Sequence, residues 1–580
     1  MKKEKINGAE ALLRTIEAEG IDTIFGYPGG TIIPIYDKLY DWPGNLKHIL
    51  VRHEQGAVHA AEGYARSTGK VGVCMATAGP GATNFITGIA DAMMDSTPVI
   101  CITAQVNADK LGTNFFQETD MIGITIPITK WNRQITSAHE IPAVMAQAFH
   151  IARSGRPGPV VISLTKNAQV EMVEYVFNPG KAIRELGLRK VTSREKRITS
   201  ENIKRATELL NSSRNPLIIA GQGINISLAW KELEELAVQG NIPVATTLLG
   251  LGCINSNHPL NVGMVGMHGN IAPNSMTQQA DVILAVGMRF SDRVTGDIKG
   301  YAPRARIIHI DIDRSEFGKN IKAGIKIQAD AREVLTQLCQ GIQYRDRQEW
   351  LDFAKEKKEL ERQKIFVPQL SKDDGPLKMA QVIEAISRHA GQERIIVSDV
   401  GQNQMFCARY SRFERRRGWI TSGGLGTMGF GLPAAVGVAA GNPHSTVIAV
   451  MGDGGFQMNI QELGTLLQSG LAVKMVLLNN SYLGMVRQWQ DLFFKKRYSA
   501  THLINPDFQM LMKAYHIPCS QVATHGELDE KIKEMVTAKG SFFLEAIVRQ
   551  EENVFPMIPA DRTLDDIIYE NEKIHHHGNR

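Results

Sequence analysis

Residues 447–455 read Val-Ile-Ala-Val-Met-Gly-Asp-Gly-Gly, and residues 476–480 read Val-Leu-Leu-Asn-Asn. Each is a short apolar run that ends abruptly on polar groups. Such runs read as strands of a parallel sheet, buried on both faces, with the first polar residue at the carboxyl end. Open α/β sheets bind their ligands at those ends. Asp453 and Asn480 therefore stand at two strand ends about one strand–helix–strand unit apart. A hard cation such as Mg²⁺ takes oxygen ligands in near-octahedral geometry and shares itself with substrate phosphates. One carboxylate, one amide oxygen and one backbone carbonyl, with two phosphate oxygens and a water, would complete such a set. Asp-Gly and Asn-Asn are each ordinary turn formers; their joint spacing is what favours a metal.

Outward from this stretch the same rhythm continues. Apolar runs at 71–77, 99–103 and 160–164, then 216–220, 282–286 and 306–310, then 394–398, 446–451 and 472–478 alternate with longer amphipathic segments. This predicts an α/β protein of three doubly wound parallel-sheet domains. Two polar stretches, 178–200 and 344–375, read as connections, the second a charged helix followed by a Pro/Asp-rich linker. The predicted domains are 1–180, 195–345 and 375–560. No repeat is visible in sequence, although the first and third domains could share topology without one.

Bulk properties exclude little but agree with an enzyme. A chain of 580 residues is too long for one core, and 43% hydrophobic with 22% charged residues is ordinary for a globular protein. A net charge of +5 is too dilute to argue for nucleic acid or a membrane surface. Arg415, Arg416 and Arg417 form a short basic run that reads as a solvated turn. The N-terminal lysines precede no apolar signal segment, and no stretch reaches the roughly 18 apolar residues of a membrane helix; the longest, 427–440, is broken by Gly and Pro. Six scattered cysteines without a C-x-x-C pair read as reduced thiols of a cytoplasmic protein. The terminal His575, His576 and His577 are a weak metal signal.

Three further motifs carry chemistry. Gly424-Leu-Gly-Thr-Met-Gly429 fits the dinucleotide pattern G-x-G-x-x-G. A dinucleotide site there leaves Asn480 unexplained and places Asp453 in a turn beyond its strand. Glu54, in Val51-Arg-His-Glu-Gln-Gly-Ala57, lies between an apparent strand at 48–51 and an Ala/Gly-rich helix. Apolar surroundings suit a carboxylic acid that must share a proton near neutral pH, because burial raises a carboxyl pKa; capping or pairing at a helix start is the commoner fate of such a Glu. Leu217-Ile-Ile-Ala-Gly-Gln-Gly223 runs from a strand into a glycine turn able to approach a phosphate, and 307–313 ends a strand on acids able to hold a ribose hydroxyl.

These segments together resemble the catalytic subunits of acetolactate synthases (acetohydroxyacid synthases), members of the thiamine-diphosphate superfamily. The resemblance covers nearly the whole chain. It includes Phe25-Gly-Tyr-Pro-Gly-Gly30, Arg52-His-Glu-Gln-Gly-Ala57, Ala78-Gly-Pro-Gly-Ala-Thr-Asn84, Phe116-Gln-Glu-Thr-Asp120, Gly266-Met-His-Gly269 and Leu483-Gly-Met-Val-Arg-Gln-Trp489. It implies decarboxylation of pyruvate and transfer of the two-carbon unit to pyruvate or 2-oxobutanoate, the first common step of valine, leucine and isoleucine synthesis. It also implies three cofactors. Thiamine diphosphate would meet Tyr27, Gly30, Glu54, Gln402, Asn403, Gly426, Met428, Gly452 and Gly454, with Met428 holding it bent. Mg²⁺ would be bound by Asp453, Asn480 and the Tyr482 carbonyl. FAD, without a redox part, would meet Arg156, Gly221, Gly223, Thr247, Leu248, Met267, His268, Gly287, Arg289, Arg293, Asp311, Ile312 and Asp330 in the central domain.

The resemblance further assigns Glu54 the activating role and places Gln117 beside the reacting carbon. Arg293 would meet a substrate carboxylate and Trp489 would favour 2-oxobutanoate as acceptor. Glu54 and the metal site would come from different subunits of a homodimer or homotetramer, with a small regulatory subunit as a candidate partner. Departures from the family pattern are Gln222 for a glycine, Ser163-Leu-Thr-Lys-Asn167 for Asp-Ile-Pro-Lys-Asp, Ser291 for an Asp, and Asn403 for a His that meets the diphosphate; an Asn can still donate to an anion. They bear on the flavin more than on Glu54, Asp453 or Asn480. The rival readings are pyruvate oxidase, a 2-oxo acid decarboxylase, glyoxylate carboligase (whose family lacks the Glu at 54) and a catalytically silent homologue.

Overall fold

The computed structural model describes residues 4–178, 180, 183–184 and 200–570. The first unit carries β1 (Glu4–Asn7), β2 (Thr23–Tyr27), β3 (Lys47–Leu50), β4 (Gly72–Ala76), β5 (Val99–Gln105), β6 (Trp131–Ile135), β7 (Val160–Thr165) and β8 (Met172–Tyr175). The second carries β9 (Pro216–Ala220), β10 (Val244–Thr246), β11 (Asn261–Met264), β12 (Val282–Val286), β13 (Arg306–Asp311) and β14 (Ile325–Gln328). The third carries β15 (Ile395–Ser398), β16 (Trp419–Thr421), β17 (Val447–Gly452), β18 (Lys474–Asn479), β19 (Cys519–Val522) and β20 (Phe542–Ile547).

They build three six-stranded parallel sheets, ordered β3-β2-β4-β5-β7-β6, β11-β10-β9-β12-β13-β14 and β16-β15-β17-β18-β20-β19. Counted within each unit, the first and third sheets share one order, 2-1-3-4-6-5, while the central sheet runs 3-2-1-4-5-6. The last is the dinucleotide-fold order, with its crevice at the point where the chain reverses direction across the sheet. That switch point falls between β2 and β4, between β9 and β12, and between β15 and β17. β1 and β8 pair antiparallel and tie the start of the first unit to its end.

Every interior run anticipated from sequence forms a strand. The edge strands β6 and β19 were not anticipated, because Trp-Asn-Arg-Gln-Ile and Cys-Ser-Gln-Val are half exposed and carry no apolar run. The 344–375 stretch contains the expected helix, Gln348–Glu361, then a π-helical turn at Arg362–Phe366. The 178–200 stretch lies almost wholly outside the described residues, as do His575, His576 and His577. Arg415, Arg416 and Arg417 are not a solvated turn. All three are half-buried: Arg416 donates to the Cys253 carbonyl (2.8 Å) and Arg417 to that of Arg66 (3.2 Å), joining the third unit to the other two. No helix among the described residues is long and apolar enough to cross a membrane.

The apolar 427–440 run becomes the helix Gly431–Gly441, apolar on every side and buried from Gly431 to Ala439. It is buried because it packs on the topologically equivalent helix of the first unit, Glu54–Thr68. One hydrophobic cluster accordingly runs from Phe25, Val58 and Tyr64 to Phe430, Val447 and Phe456. The two helices meet backbone to backbone. A Cβ on Gly437 would lie 1.7 Å from the Ala60 carbonyl oxygen, and one on Gly63 would lie 2.1 Å from that of Ala434. Backbone cannot yield as a side chain can, so Gly437→Val is expected to cost about 3 kcal/mol or more of stability. Thermal unfolding checks this; an unchanged midpoint would contradict the packing described.

Candidate functional site

The third sheet positions its groups at the β15/β17 switch point. Asp453 opens the short helix Asp453–Met458 as β17 ends. It is 1% exposed, and burial pushes its carboxyl up to about 6. One carboxylate oxygen accepts the Gly454 amide (3.2 Å) and the other accepts the Asn505 side chain (2.7 Å). Asn480 follows β18; its Oδ1 accepts the Tyr482 amide (3.2 Å) and its Nδ2 faces Gln402 Oε1 (3.4 Å). The 480–483 turn is held from outside by Leu483 N donating to Thr501 O and Leu503 N to Ser481 O, both 2.8 Å. Asp453, Asn480, Tyr482, Gly452, Gly454, Gln402 and Asn403 line one small cleft. A buried carboxyl whose pKa is raised, lining one cleft with an amide oxygen, is an oxygen donor set that would suit a divalent cation.

Asn403 lines this cleft without offering it a donor. Its Nδ2 is committed to the carbonyls of Asp399 (2.7 Å) and Val450 (3.3 Å), so the expected donation to an anion is not made. Met428, Val400, Gly401, Met485 and Val486 line both this cleft and a much larger cavity of about 660 Å³. The large cavity lies where the three units meet. It is lined by Arg156, Gly223, Thr247, Leu248, Met267, His268, Gly287, Arg289, Arg293, Asp311, Ile312 and Asp330, with Gly426 and Trp489 at the third-unit side. Its volume is that of a site for a large ligand. Burial pushes Asp311 up to about 7 and His268 down to about 3, and His268 Nδ1 is buried without a partner. Asp330 also caps the helix Ala331–Cys339 through the Arg332 amide. Gly221 does not line the cavity: a Cβ there would lie 2.2 Å from Gly287 O, so this glycine serves strand-end packing.

A second group gathers at the β2/β4 switch point of the first sheet. Glu54 is the first residue of its helix, 9% exposed, and accepts Asn84 Nδ2 at 2.8 Å. A Cβ on Gly81 would lie 3.0 Å from its carboxylate, and one on Gly79 would lie 2.9 Å from Gln117 Cβ. Gln117 itself has φ 64°. Tyr27 ends β2 and is 39% exposed, and nothing lies within 4 Å of a Cβ built on Gly30. Glu54, Gln117, Tyr27 and Gly30 thus gather at this switch point, and none of them lines either cavity. Within a single chain the Glu54 group and the Asp453 cleft do not share a cavity.

Two residues at the site were missed in the sequence. Asp399 follows β15 as Asp453 follows β17, is fully buried, and is pushed up to about 6; it accepts the amides of Val400 (2.7 Å), Gly429 (3.1 Å) and Gly431 (2.7 Å). The rule that found Asp453 finds it too. Asn505 stands in an irregular segment with no local signal, and only the fold brings it to Asp453. The 424–429 glycine pattern does lie between a strand and a helix, but the amides of Gly424, Gly426, Thr427 and Gly429 already have acceptors in side chains of the protein.

Comparison with known proteins follows this division. The model for the N-terminal TPP binding domain of thiamine pyrophosphate enzymes matches residues 6–124, that for their central domain 203–338, and that for their C-terminal TPP binding domain 399–546. A probable acetolactate synthase large subunit of Methanocaldococcus jannaschii is 44% identical, covering 97% of this chain and 95% of its own. The acetolactate synthase large subunit of Corynebacterium glutamicum is 42% identical, covering 98% and 90%. The isozyme 2 large subunit of Escherichia coli is 41% identical, covering 96% and 98%.

If this cleft takes a divalent cation, Asn505, bonded to the Asp453 carboxylate, and the protonation of that carboxylate would set the affinity. Calorimetry with Mg²⁺ and inorganic diphosphate should show binding lost in Asp453→Ala and weakened about tenfold in Asn505→Ala. Because the cation requires the ionised carboxylate, affinity should rise between pH 5 and pH 7 as Asp453 deprotonates. An affinity independent of pH, or of Asn505, would contradict this arrangement.

Proposed function

The chain belongs to the acetolactate synthase large-subunit family of thiamine pyrophosphate enzymes, and from that premise we propose how its residues divide the work. The reaction is thiamine-diphosphate-dependent carboligation: pyruvate loses carbon dioxide and its two-carbon unit joins a second 2-oxo acid, giving 2-acetolactate or 2-aceto-2-hydroxybutanoate for branched-chain amino acid synthesis. The bound cofactor supplies the nucleophilic carbon and the electron sink; the protein supplies placement and a dry site. Asp453, Asn480 and the Tyr482 carbonyl would hold Mg²⁺ against the diphosphate, and Met428 would support the bend between the two rings. Glu54 would hold a proton at the aminopyrimidine ring, with Asn84 fixing its carboxylate.

The cavity of about 660 Å³ is proposed to hold FAD, with Asp311 toward the ribose and Arg156 and Arg289 toward the phosphates. A guanidinium binds a carboxylate in bidentate fashion, so Arg293, at the cavity mouth with a 60% exposed side chain, would receive the substrate acid. Trp489 lies on Gly484–Phe493, a helix anchored by Gln488 to Val554, and its ring packs 4.9 Å from that of Phe493. An apolar wall of this kind favours the longer 2-oxobutanoate. Gln117 would lie beside the reacting carbon.

The observation that carries the assembly is the separation of Glu54 from the Met428 cavities within one chain. We propose that Glu54, Gln117, Tyr27 and Gly30 of one copy complete the site of another, in a homodimer or homotetramer to which a small regulatory subunit binds. The proposed domain limits remain 1–180, 195–345 and 375–560. A reducing, cytoplasmic compartment suits six free thiols, of which Cys74 donates a hydrogen bond to Cys101 (3.4 Å between sulfurs) without a disulfide. Mass spectrometry of cofactors released from the purified protein should find thiamine diphosphate and FAD, and product analysis should find acetolactate; acetaldehyde or hydrogen peroxide would indicate a decarboxylase or an oxidase. Glu54→Gln should abolish carboligation while sparing Mg²⁺-diphosphate binding, and retained turnover would refute the role given to Glu54.

A further inference from the structure

The loop from Thr421 to Gly431 presents Met428, yet its shape is set largely from outside its own sheet. Asp95, in the first unit, accepts the amides of Gly423 (2.9 Å) and Gly424 (2.6 Å), one on each carboxylate oxygen. Arg66 bonds the same carboxylate (3.3 Å) and the Thr421 carbonyl (2.6 Å). Asp91, one turn earlier on the helix Ile86–Met94, accepts the Ser422 hydroxyl at 2.5 Å. That hydroxyl in turn accepts the amides of Gly426 (3.1 Å) and Thr427 (2.9 Å). One donor and two lone pairs are all a hydroxyl has, so Ser422 is saturated.

The loop also needs external acceptors. Gly426 and Gly429 take φ of 76° and 86°, so no regular ladder can satisfy this backbone. Asp91 and Asp95 are 0% and 1% exposed and line neither cavity. Apolar residues would fill their volume at less cost than buried carboxyls, unless the carboxylates hold the amides they face. Met428 lies between the stretch they anchor and the one held by Asp399 at Gly429 and Gly431.

We propose that Asp91 and Asp95 are positioning residues for carboligation. Acting through the Thr421–Gly431 loop, they fix the place of Met428, so the first unit of each chain shapes the half-site on its own third unit. This deepens the proposed function and rests on its reading of Met428. Asp95→Asn is isosteric but turns an N–H donor toward a loop amide in place of one acceptor.

The test combines amide hydrogen exchange of the cofactor-free protein with steady-state kinetics of the holoenzyme. The segment 421–431 should exchange about tenfold faster in Asp95→Asn, as expected for a local opening made easier. Turnover should fall about tenfold with KM for pyruvate unchanged, and in a Met428→Ala background the same substitution should cost no further activity. Ser422→Ala, which removes no charge, should reproduce the pattern and decides the matter if Asp95→Asn does not fold. Unchanged exchange at 421–431, or losses from Asp95→Asn and Met428→Ala that multiply, would overturn the proposal. Full turnover by Met428→Ala alone would refute the underlying reading of the site, and the positioning role with it, even where exchange shows the loop loosened.

Discussion

The helices Glu54–Thr68 and Gly431–Gly441 touch through Gly63 and Gly437 with no side chain between them. Contact of that kind fixes distance and angle together, because neither backbone has a rotamer by which to adjust. It welds the first and third units into one body with a shared core. One helix begins with Glu54 itself and the other just beyond the Met428 loop. Fixing the helices therefore fixes both half-sites. A chain so built keeps Glu54 out of both Met428 cavities, and on the proposed reading a second copy would supply it.

Buried carboxyls do much of the fine placement around this contact. Glu462, from the third unit, accepts the amides of Arg52 and His53 (both 3.1 Å) and so secures the approach to Glu54. Asp399 and Asp95 hold the Met428 loop. Beneath them His59, Glu62 and Asp91 form a fully buried trio, with both acids pushed up and the histidine pushed down chiefly by burial. That trio is most stable neutral; His59 and Glu62 lie on the helix that starts at Glu54, and Asp91 accepts the Ser422 hydroxyl of the loop that carries Met428. Ionisable groups are costly in such a place unless their hydrogen bonds are needed. Here they hold backbone that no sheet or helix ladder reaches.

Much of this was legible in the sequence, for identifiable reasons. Strands buried on both faces announce themselves as apolar runs, so β9 and β12 appear with their full bounds and Asp453 and Asn480 fall at strand ends. Edge strands such as β6 and β19 carry no such run and stay hidden. The cleft residues were found because they lie next to strands; Asn505 was not, because it arrives through a long-range contact with no local pattern. Asn403 and Gly221 show the limit of carrying a motif over: the residue lies where the pattern puts it, but its donors or its backbone face another way. Arg415 to Arg417 looked like a surface turn because charge alone cannot reveal that three units converge on it.

On the proposed reading a complete site would draw Glu54 from one chain and the cation cleft from another. Mixing two inactive variants, Glu54→Gln and Asp453→Ala, under conditions that exchange subunits tests it directly. Random pairing makes about half the dimers mixed, each with one of its two sites unmutated, so about a quarter of the parental turnover should return. If each chain instead completed its own site, no pairing could restore one, and the mixture would stay inactive.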